Sequence, residues 1–186
     1  AKTNAAFSMD TGGNLSANLV AAWRLEESSG TRNDATGRGN NLTDINTVTV
    51  AAGIIDSGAS FVLANSEALE SADAADLSVT GAGFTIAGWA YAATTSNDMM
   101  IAAKENGTVF EYDLRFRFPS GFRWLVSNDG TNTVTAADAF TIVPNTWYFV
   151  VGWYDSAGQV IGVQVNDRTA QTTAHNLGVL DGSNAF

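Results

Sequence analysis

Short apolar or alternating runs divide the chain from residue 19 onward, and several of them carry tryptophan. Residues 19–25, 84–91 and 147–154 are the most marked of these runs. Each is bounded by Gly, Asn, Asp or Ser and has the length of a β-strand. This pattern is typical of buried strands and predicts a β-sandwich.

Further strand-like runs follow at short spacing, with turn signals such as Ser29-Gly30 and Asn106-Gly107 between them. The predicted strands are residues 19–25, 59–63, 67–71, 84–92, 99–104, 109–118, 122–127, 139–142, 147–154 and 160–166. The one helix candidate is a short segment at residues 72–77. Many antiparallel strands at this spacing predict an all-β fold, a two-sheet antiparallel jelly-roll sandwich.

Composition narrows the class of protein. The chain has 186 residues, of which 45% are hydrophobic and 15% charged, enough for one β-domain with a sizeable core. A net charge of −10 argues against nucleic acid or an anionic membrane as the main partner. Cysteine is absent, so no disulfide supports the fold. No apolar run reaches the length of a membrane span, so membrane insertion is not expected.

Residues 1–18 are rich in Ala, Asn, Ser and Gly and hold few large apolar side chains. This composition predicts an N-terminal arm or linker. We expect residues 19–186 to form a single jelly-roll domain.

An ordered series of segments carries a resemblance to a known family. The segments are LVAAWRLEESSGT at 19–31, DATGRGN at 34–40, GASF at 58–61, EALES at 67–71, FTIAGW at 84–89, WYFVVGWYD at 147–155 and VQVN at 163–166. In that order they resemble a laminin-G-like domain of the concanavalin A-like lectin/glucanase superfamily. The resemblance implies a two-sheet jelly roll with a glycan-binding or adhesive role, sometimes dependent on calcium.

The chain departs from the family's usual end. Family members close with an Ile-Gly run and a strand of the Gly-x-Ile-Asp-x-Val kind, whereas this sequence stops at Ala185-Phe186. Either the sequence is a fragment, or something else completes the sheet. Because proteins normally cover an open apolar edge, we expect the N-terminal arm or another subunit to cover the first strand. The predicted assembly edge consists of Leu19, Ala21, Trp23 and Leu25.

A basic cluster is predicted on the hairpin around Pro119-Ser-Gly121. Alternation places Leu114, Phe116 and Phe118 on one face of the strand and Arg115 and Arg117 on the other. With a three-residue turn, Phe116 faces Trp124 and Arg117 lies opposite Arg123.

Like charges directly opposite each other are unfavourable unless something neutralises them. Glu111 and Asp113 fall on the arginine face by the period-2 rule, which favours an internal ion-pair cluster. The open alternatives are a subunit contact and an anionic ligand held by Arg115, Arg117 and Arg123.

The sequence does not favour an enzyme. A glucanase of this superfamily needs the spacing Glu-x-Asp-x-x-Glu, and here Glu111 and Asp113 are followed by Phe116 in place of the second glutamate. The single His175 lacks the partners that a zinc site requires. No catalytic residue is therefore predicted.

Calcium is the one cofactor that the sequence suggests. The segment 27–41 is rich in side-chain oxygens of the kind calcium prefers, and Asp34 is its best single ligand. The glycines at 37 and 39 also fit an ordinary turn.

Aromatic residues divide into a predicted core set and a predicted surface set. The core set is Trp23, Trp89, Trp147 and Trp153, which lie within apolar runs. The candidates for an exposed platform that stacks on sugar rings are Tyr91, Tyr112, Trp124 and Tyr154.

Two functions follow from these observations. The first is a non-catalytic recognition or adhesion module that binds glycan or another cell or virion surface. The second is a structural coat, decoration or appendage subunit, for example on a virion, which packs against copies of itself or other coat subunits. Both predict an extracellular or virion-surface location.

Overall fold

A computed structural model of the protein describes residues 18–79, 81, 83–94 and 96–186. Nearly all of the predicted arm, residues 1–17, lies outside the described residues. The chain divides into two compact units, residues 1–69 and residues 70–186. We call them the N-terminal unit and the C-terminal unit.

The N-terminal unit consists of short strands joined by long loops. The strands are β1 (Thr43–Ile45), β2 (Thr49–Ala52), β3 (Ser57–Ser60) and β4 (Ala68–Glu70), whose last residue is the first of the C-terminal unit, with a 3-10 helix at Leu63–Asn65. Strands β2 and β3 form an antiparallel hairpin, and β1 pairs with β4. The Arg32 guanidinium is fully buried here and donates to the Val48 carbonyl at 2.8 Å.

The predicted first strand, residues 19–25, is not a strand. The β-bridging within residues 19–25 is limited to an isolated antiparallel bridge between Trp23 and Asp34. At Leu25 the backbone φ is 61°, in the left-handed region that interrupts an extended strand. The prediction of an apolar sheet edge formed by Leu19, Ala21, Trp23 and Leu25 is therefore wrong.

The C-terminal unit contains two antiparallel four-stranded sheets. Its strands are β5 (Gly83–Tyr91), β6 (Met99–Glu105), β7 (Phe110–Phe116), β8 (Phe122–Ser127), β9 (Thr133–Asp138), β10 (Trp147–Asp155), β11 (Val160–Val165) and β12 (Gln171–Ala174). Sheet A has the order β12-β11-β10-β5 and sheet B the order β6-β7-β8-β9. The chain leaves sheet A after β5, builds sheet B and returns as β10 beside β5. The all-β, two-sheet prediction is confirmed.

The core lies between these two sheets. Trp124 of β8 is 0% exposed, and the ring of Phe84 from β5 lies 5.5 Å from it. Near the other end, Phe122 of β8 contacts Tyr148 of β10 with ring centroids 5.3 Å apart. Aromatic contacts between the two inner faces thus fix how the sheets pack.

Four strands were not predicted, and two further predicted segments have a different structure. Strands β1, β2, β9 and β12 were missed because they consist largely of Thr, Ala and Gln rather than large apolar residues. The predicted strand 139–142 is a loop after β9, and its Phe140 and Ile142 pack against the core. The predicted helix at 72–77 is a turn.

The only helix that the described residues contain is the three-residue 3-10 helix. The described part of the chain therefore has no helix that is long and apolar enough to cross a membrane.

Candidate functional site

The outer surface of sheet A carries aromatic side chains on two neighbouring strands. Along β5 the burial alternates, so Phe84 and Ile86 pack against the core while Trp89 and Tyr91 are exposed. In the register of β5 with β10, Tyr91 pairs with Trp147 and Trp89 pairs with Phe149. We call these four residues, Trp89, Tyr91, Trp147 and Phe149, the aromatic face.

The aromatic face consists of two cross-strand ring pairs. The ring centroids of Tyr91 and Trp147 lie 5.2 Å apart with an interplanar angle of 47°. Those of Trp89 and Phe149 lie 5.3 Å apart at 53°. Trp89 is 49% exposed and Tyr91 is 43% exposed. Large aromatic side chains held in place and left this open are unusual on a protein surface.

A polar group adjoins one end of the aromatic face. The Tyr91 hydroxyl donates to Asn145 Oδ1 at 2.8 Å. The Asn145 backbone N–H in turn donates to the Ala92 carbonyl at 2.9 Å, which fixes the position of Asn145 beside β5. The aromatic face therefore combines apolar rings with neutral hydrogen-bonding groups.

Trp89 was predicted to lie in the core, and that prediction is wrong. Strand β5 carries apolar residues on both of its sides, and Phe84 and Ile86 lie on the inner side. Because Trp89 is an odd number of residues away from both, strict alternation places it on the outer side, and this signal could have identified it as a surface residue. Trp147 and Trp153 are partly buried, and the Trp153 ring covers Gly162, where an added Cβ would lie 2.1 Å from Cζ2.

Three of the four predicted platform residues are core residues. Tyr112 is 2% exposed, Trp124 is 0% exposed and Tyr154 is 6% exposed. They lie on inner-face positions of β7, β8 and β10, so they cannot form an exposed platform. Of the predicted set, Tyr91 alone belongs to the aromatic face.

The hairpin between β7 and β8 has a different register from the predicted one. Phe116 pairs with Phe122, Arg115 lies opposite Arg123, and Trp124 lies opposite Leu114. Arg117 lies in the turn, where its N–H donates to the Gly121 carbonyl at 2.8 Å. The predicted pairing of Arg117 with Arg123 is wrong because the turn begins two residues before Pro119.

The predicted neutralisation of opposed arginines is present at Asp113. Its fully buried carboxylate forms ion pairs with Arg115 and, at 3.4 Å, with Arg123. Burial raises the pKa of Asp113, and this effect exceeds the lowering by the two guanidinium groups. Arg115 also lies 3.8 Å from Glu105, so the four charges of this cluster balance.

Glu111 does not join that cluster. The β6–β7 register shifts between Lys104 and Glu105, and Glu111 contacts Lys104 Nζ at 2.9 Å. Asp73 contacts the same ammonium group at 2.8 Å. Burial lowers the pKa of Lys104, but its hydrogen bonds to Asp73 and Glu111 outweigh burial and raise it. Glu111 and Asp113 are thus both fully buried and bound to basic groups.

Asp34, the predicted calcium ligand, holds its own loop together. Its carboxylate accepts hydrogen bonds from the backbone N–H of Ala22 at 3.1 Å, of Thr36 at 2.9 Å and of Asn40 at 3.2 Å. Burial raises the pKa of Asp34, but the hydrogen bonds from Thr36, Ala22 and Asn40 lower it overall. The described part of the chain has no group of three or more His, Asp or Glu residues that could hold a metal ion. Calcium binding by this loop stays a prediction.

His175 has a structural position. It is 4% exposed, its Nε2 lies 2.6 Å from the Gly178 carbonyl, and its ring lies edge-on to Tyr154 at 5.6 Å. These contacts fix the loop that follows β12.

Comparison with known proteins gives one family. Residues 63–186 match a laminin-G-type family described as the Concanavalin A-like lectin/glucanases superfamily. The matched segment is shorter than the predicted 19–186 and contains both strands of the aromatic face. No curated protein matches the chain significantly.

Proposed function

The chain belongs to the Concanavalin A-like lectin/glucanases superfamily, and on that basis we propose that it is a recognition module that binds glycan through the aromatic face. The superfamily supports a binding or recognition role at a coarse level. The observation that carries the finer proposal is the pair of exposed rings, Trp89 and Tyr91, on the outer surface of sheet A.

The chemistry of a sugar ring fits this surface. A pyranose presents apolar C–H groups on its faces and hydroxyl groups around its edge. The electron-rich face of an indole or phenol ring attracts such C–H groups. The amide of Asn145 and the Tyr91 hydroxyl, 2.8 Å apart, lie where edge hydroxyls of a stacked sugar would reach them.

The proposed role is non-catalytic. Glycosidases use two carboxyl groups on either side of the bond that they cleave. The two carboxylates nearest to that motif, Glu111 and Asp113, are buried and held by Lys104 and by Arg115 with Arg123. A location outside the cell or on a virion surface is part of this proposal.

Glycan-array binding with the full chain tests the proposal. We expect at least one class of glycan to bind and Trp89→Ala to weaken binding by about tenfold or more, the loss typical of an interface anchor. Met100→Ala is the matched control because Met100 is 59% exposed but lies on β6 of sheet B, outside sheet A. An array without binding, or binding that Trp89→Ala leaves unchanged, contradicts the proposal.

A second candidate function is a coat or decoration subunit that packs against copies of itself or other coat proteins. The observation that favours it is a group of exposed apolar side chains within residues 54–63 of the N-terminal unit. Ile55 is 69% exposed, Leu63 66% and Phe61 51%. Exposed apolar residues concentrated in one short segment are typical of contact surfaces.

Light scattering and direct imaging of native material test this second function. Large ordered assemblies that Leu63→Glu disperses would support it. A discrete small species, with the same mass in the variant, would contradict it.

A further inference from the structure

Building on the proposed glycan site, we infer that the aromatic face takes an uncharged glycan as a single chain, and neither an acidic glycan nor the flat surface of a crystalline polysaccharide. The charge of the face and the tilt of its rings carry this inference.

The strand positions around the aromatic face carry no cation. The other positions that alternate onto the same side of β5 and β10 are Gly83, Thr85, Ala87, Val151, Trp153 and Asp155. Asp155 ends β10, eight residues from Trp147, and its carboxylate accepts hydrogen bonds from the N–H groups of Ala157 and Gly158. The strand positions beside the aromatic face therefore offer no cation to a sulfate or a uronate.

Four of the five Lys and Arg side chains of the C-terminal unit form ion pairs elsewhere, and the fifth, Arg117, belongs to the turn between β7 and β8 of sheet B. Arg115 and Arg123 pair with Asp113, Lys104 pairs with Glu111 and Asp73, and Arg168 forms two hydrogen bonds with Asp138 at 2.8 and 2.9 Å. The chain as a whole carries a net charge of −10. A polyanionic glycan would therefore meet repulsion rather than electrostatic attraction.

The rings do not form one plane. Within the two pairs the planes are inclined by 47° and 53°. Successive residues on one side of a strand are about 6.8 Å apart, so the pairs form two separate steps along the sheet. A crystalline polysaccharide needs coplanar rings, whereas a single chain can turn each sugar to meet its own ring. The neutral groups of Tyr91 and Asn145 then serve as partners for sugar hydroxyls.

Affinity electrophoresis of the full chain tests the inference. The probes are soluble neutral glucan, mannan, xylan and galactan, the acidic polymers alginate and heparin, and a parallel pull-down on microcrystalline cellulose and chitin. We expect a neutral soluble polymer to retard the protein, with little dependence on salt. We expect Trp89→Ala to weaken the retardation about tenfold, and Met100→Ala to leave it unchanged.

One further variant sharpens the test. Tyr91→Phe keeps the ring and removes the hydroxyl, so we expect a smaller loss of about three- to tenfold, the scale of one hydrogen bond. Thermal unfolding of each variant separates loss of binding from loss of folding.

The outcomes distinguish this inference from the proposed function. Binding to heparin, alginate or a crystalline polymer that depends on Trp89 overturns the inference and leaves the glycan site in place. Failure to bind any polymer, or binding that is independent of Trp89, overturns both.

Discussion

The indole of Trp124 lies directly over Gly152 of the facing sheet. A Cβ added to Gly152 would lie 2.7 Å from Trp124 Cε3 and 2.8 Å from Cδ2. These distances are shorter than ordinary van der Waals contact, so only glycine leaves room for the largest side chain of the core. The contact joins β8 to β10, so the spacing of the two sheets depends on the absence of a side chain at residue 152.

Gly152→Ala is therefore expected to destabilise the C-terminal unit by about 1–3 kcal/mol, the usual cost of overpacking a core. Urea unfolding followed by fluorescence measures the change. Gly88→Ala on the neighbouring strand β5 is the matched control, since a Cβ there meets nothing within 4 Å. Equal stability of the two variants would contradict the close packing.

Removing the ammonium group of Lys104 is expected to destabilise the protein strongly. Lys104→Met leaves Glu111 fully buried without its counter-charge, which typically costs about 3–5 kcal/mol. The double variant Lys104→Met/Glu111→Leu removes both charges and should recover most of the loss. The urea midpoints of the single and double variants measure the two stabilities. A double variant that is no more stable than the single one would contradict the predicted cost of leaving Glu111 unpaired.

Acid is expected to weaken the turn after β8. Hydrogen bonds from the Asn132 side chain and from the backbone N–H groups of Thr131 and Asn132 lower the pKa of Asp129 from its ordinary 3.8 to about 2. A lowered folded-state pKa contributes stability above pH 3.8 that is lost as the pH falls towards 2.

The comparison of wild type with Asp129→Asn measures this contribution. The variant should unfold at lower urea concentration at neutral pH, and the difference should shrink as the pH falls from 3.8 to about 2. Asp181→Asn, at an exposed position outside the turn, is the control. A difference that is the same at every pH is incompatible with the stated pKa.

The loop around Asp34 gives a prediction that also bears on calcium. Asp34→Ala removes the acceptor of three backbone N–H groups, so we expect a loss of about 1–3 kcal/mol and faster hydrogen exchange at Ala22 and Asn40. Glu26→Ala, in an exposed position of the same unit, serves as control. Unchanged exchange at both amides would disprove the role assigned to Asp34.

The calcium prediction is tested by comparing the wild type with Asp34→Ala. If the loop binds calcium, about 1 mM calcium should raise the melting temperature of the wild type but not of Asp34→Ala, and a chelator should reverse the rise. Identical melting temperatures in calcium and chelator would remove Asp34 as a ligand.

Local pattern was sufficient to predict the central strands. The alternation at residues 84–92 and 147–154 identified β5 and β10 almost to the residue. It did not place Trp89, because an aromatic residue fits either side of a half-buried strand. The core side of β5 is recognised only from Phe84 and Ile86, which lie two residues apart and therefore on the same side of the strand.

Other differences arise from geometry that the pattern does not contain. Residues 19–25 form an apolar run like that of a strand, but their pairing is limited to the isolated bridge between Trp23 and Asp34, and the backbone turns left-handed at Leu25. The pairing of Arg115 with Arg123 depends on where the turn begins, and a shift of two residues keeps every side chain on its predicted face. The Lys104–Glu111 pair depends on an irregularity between β6 and β7 that no local rule predicts.

The buried imidazole of His175 provides the C-terminal unit with a built-in spectroscopic reporter. The chain has one histidine, and its ring is packed between Tyr154 and the Gly178 carbonyl. The ring current of Tyr154 should displace the imidazole proton resonances from their positions in an unfolded chain. A one-dimensional proton NMR spectrum of unlabelled protein can therefore follow the folding of sheet A without resonance assignment.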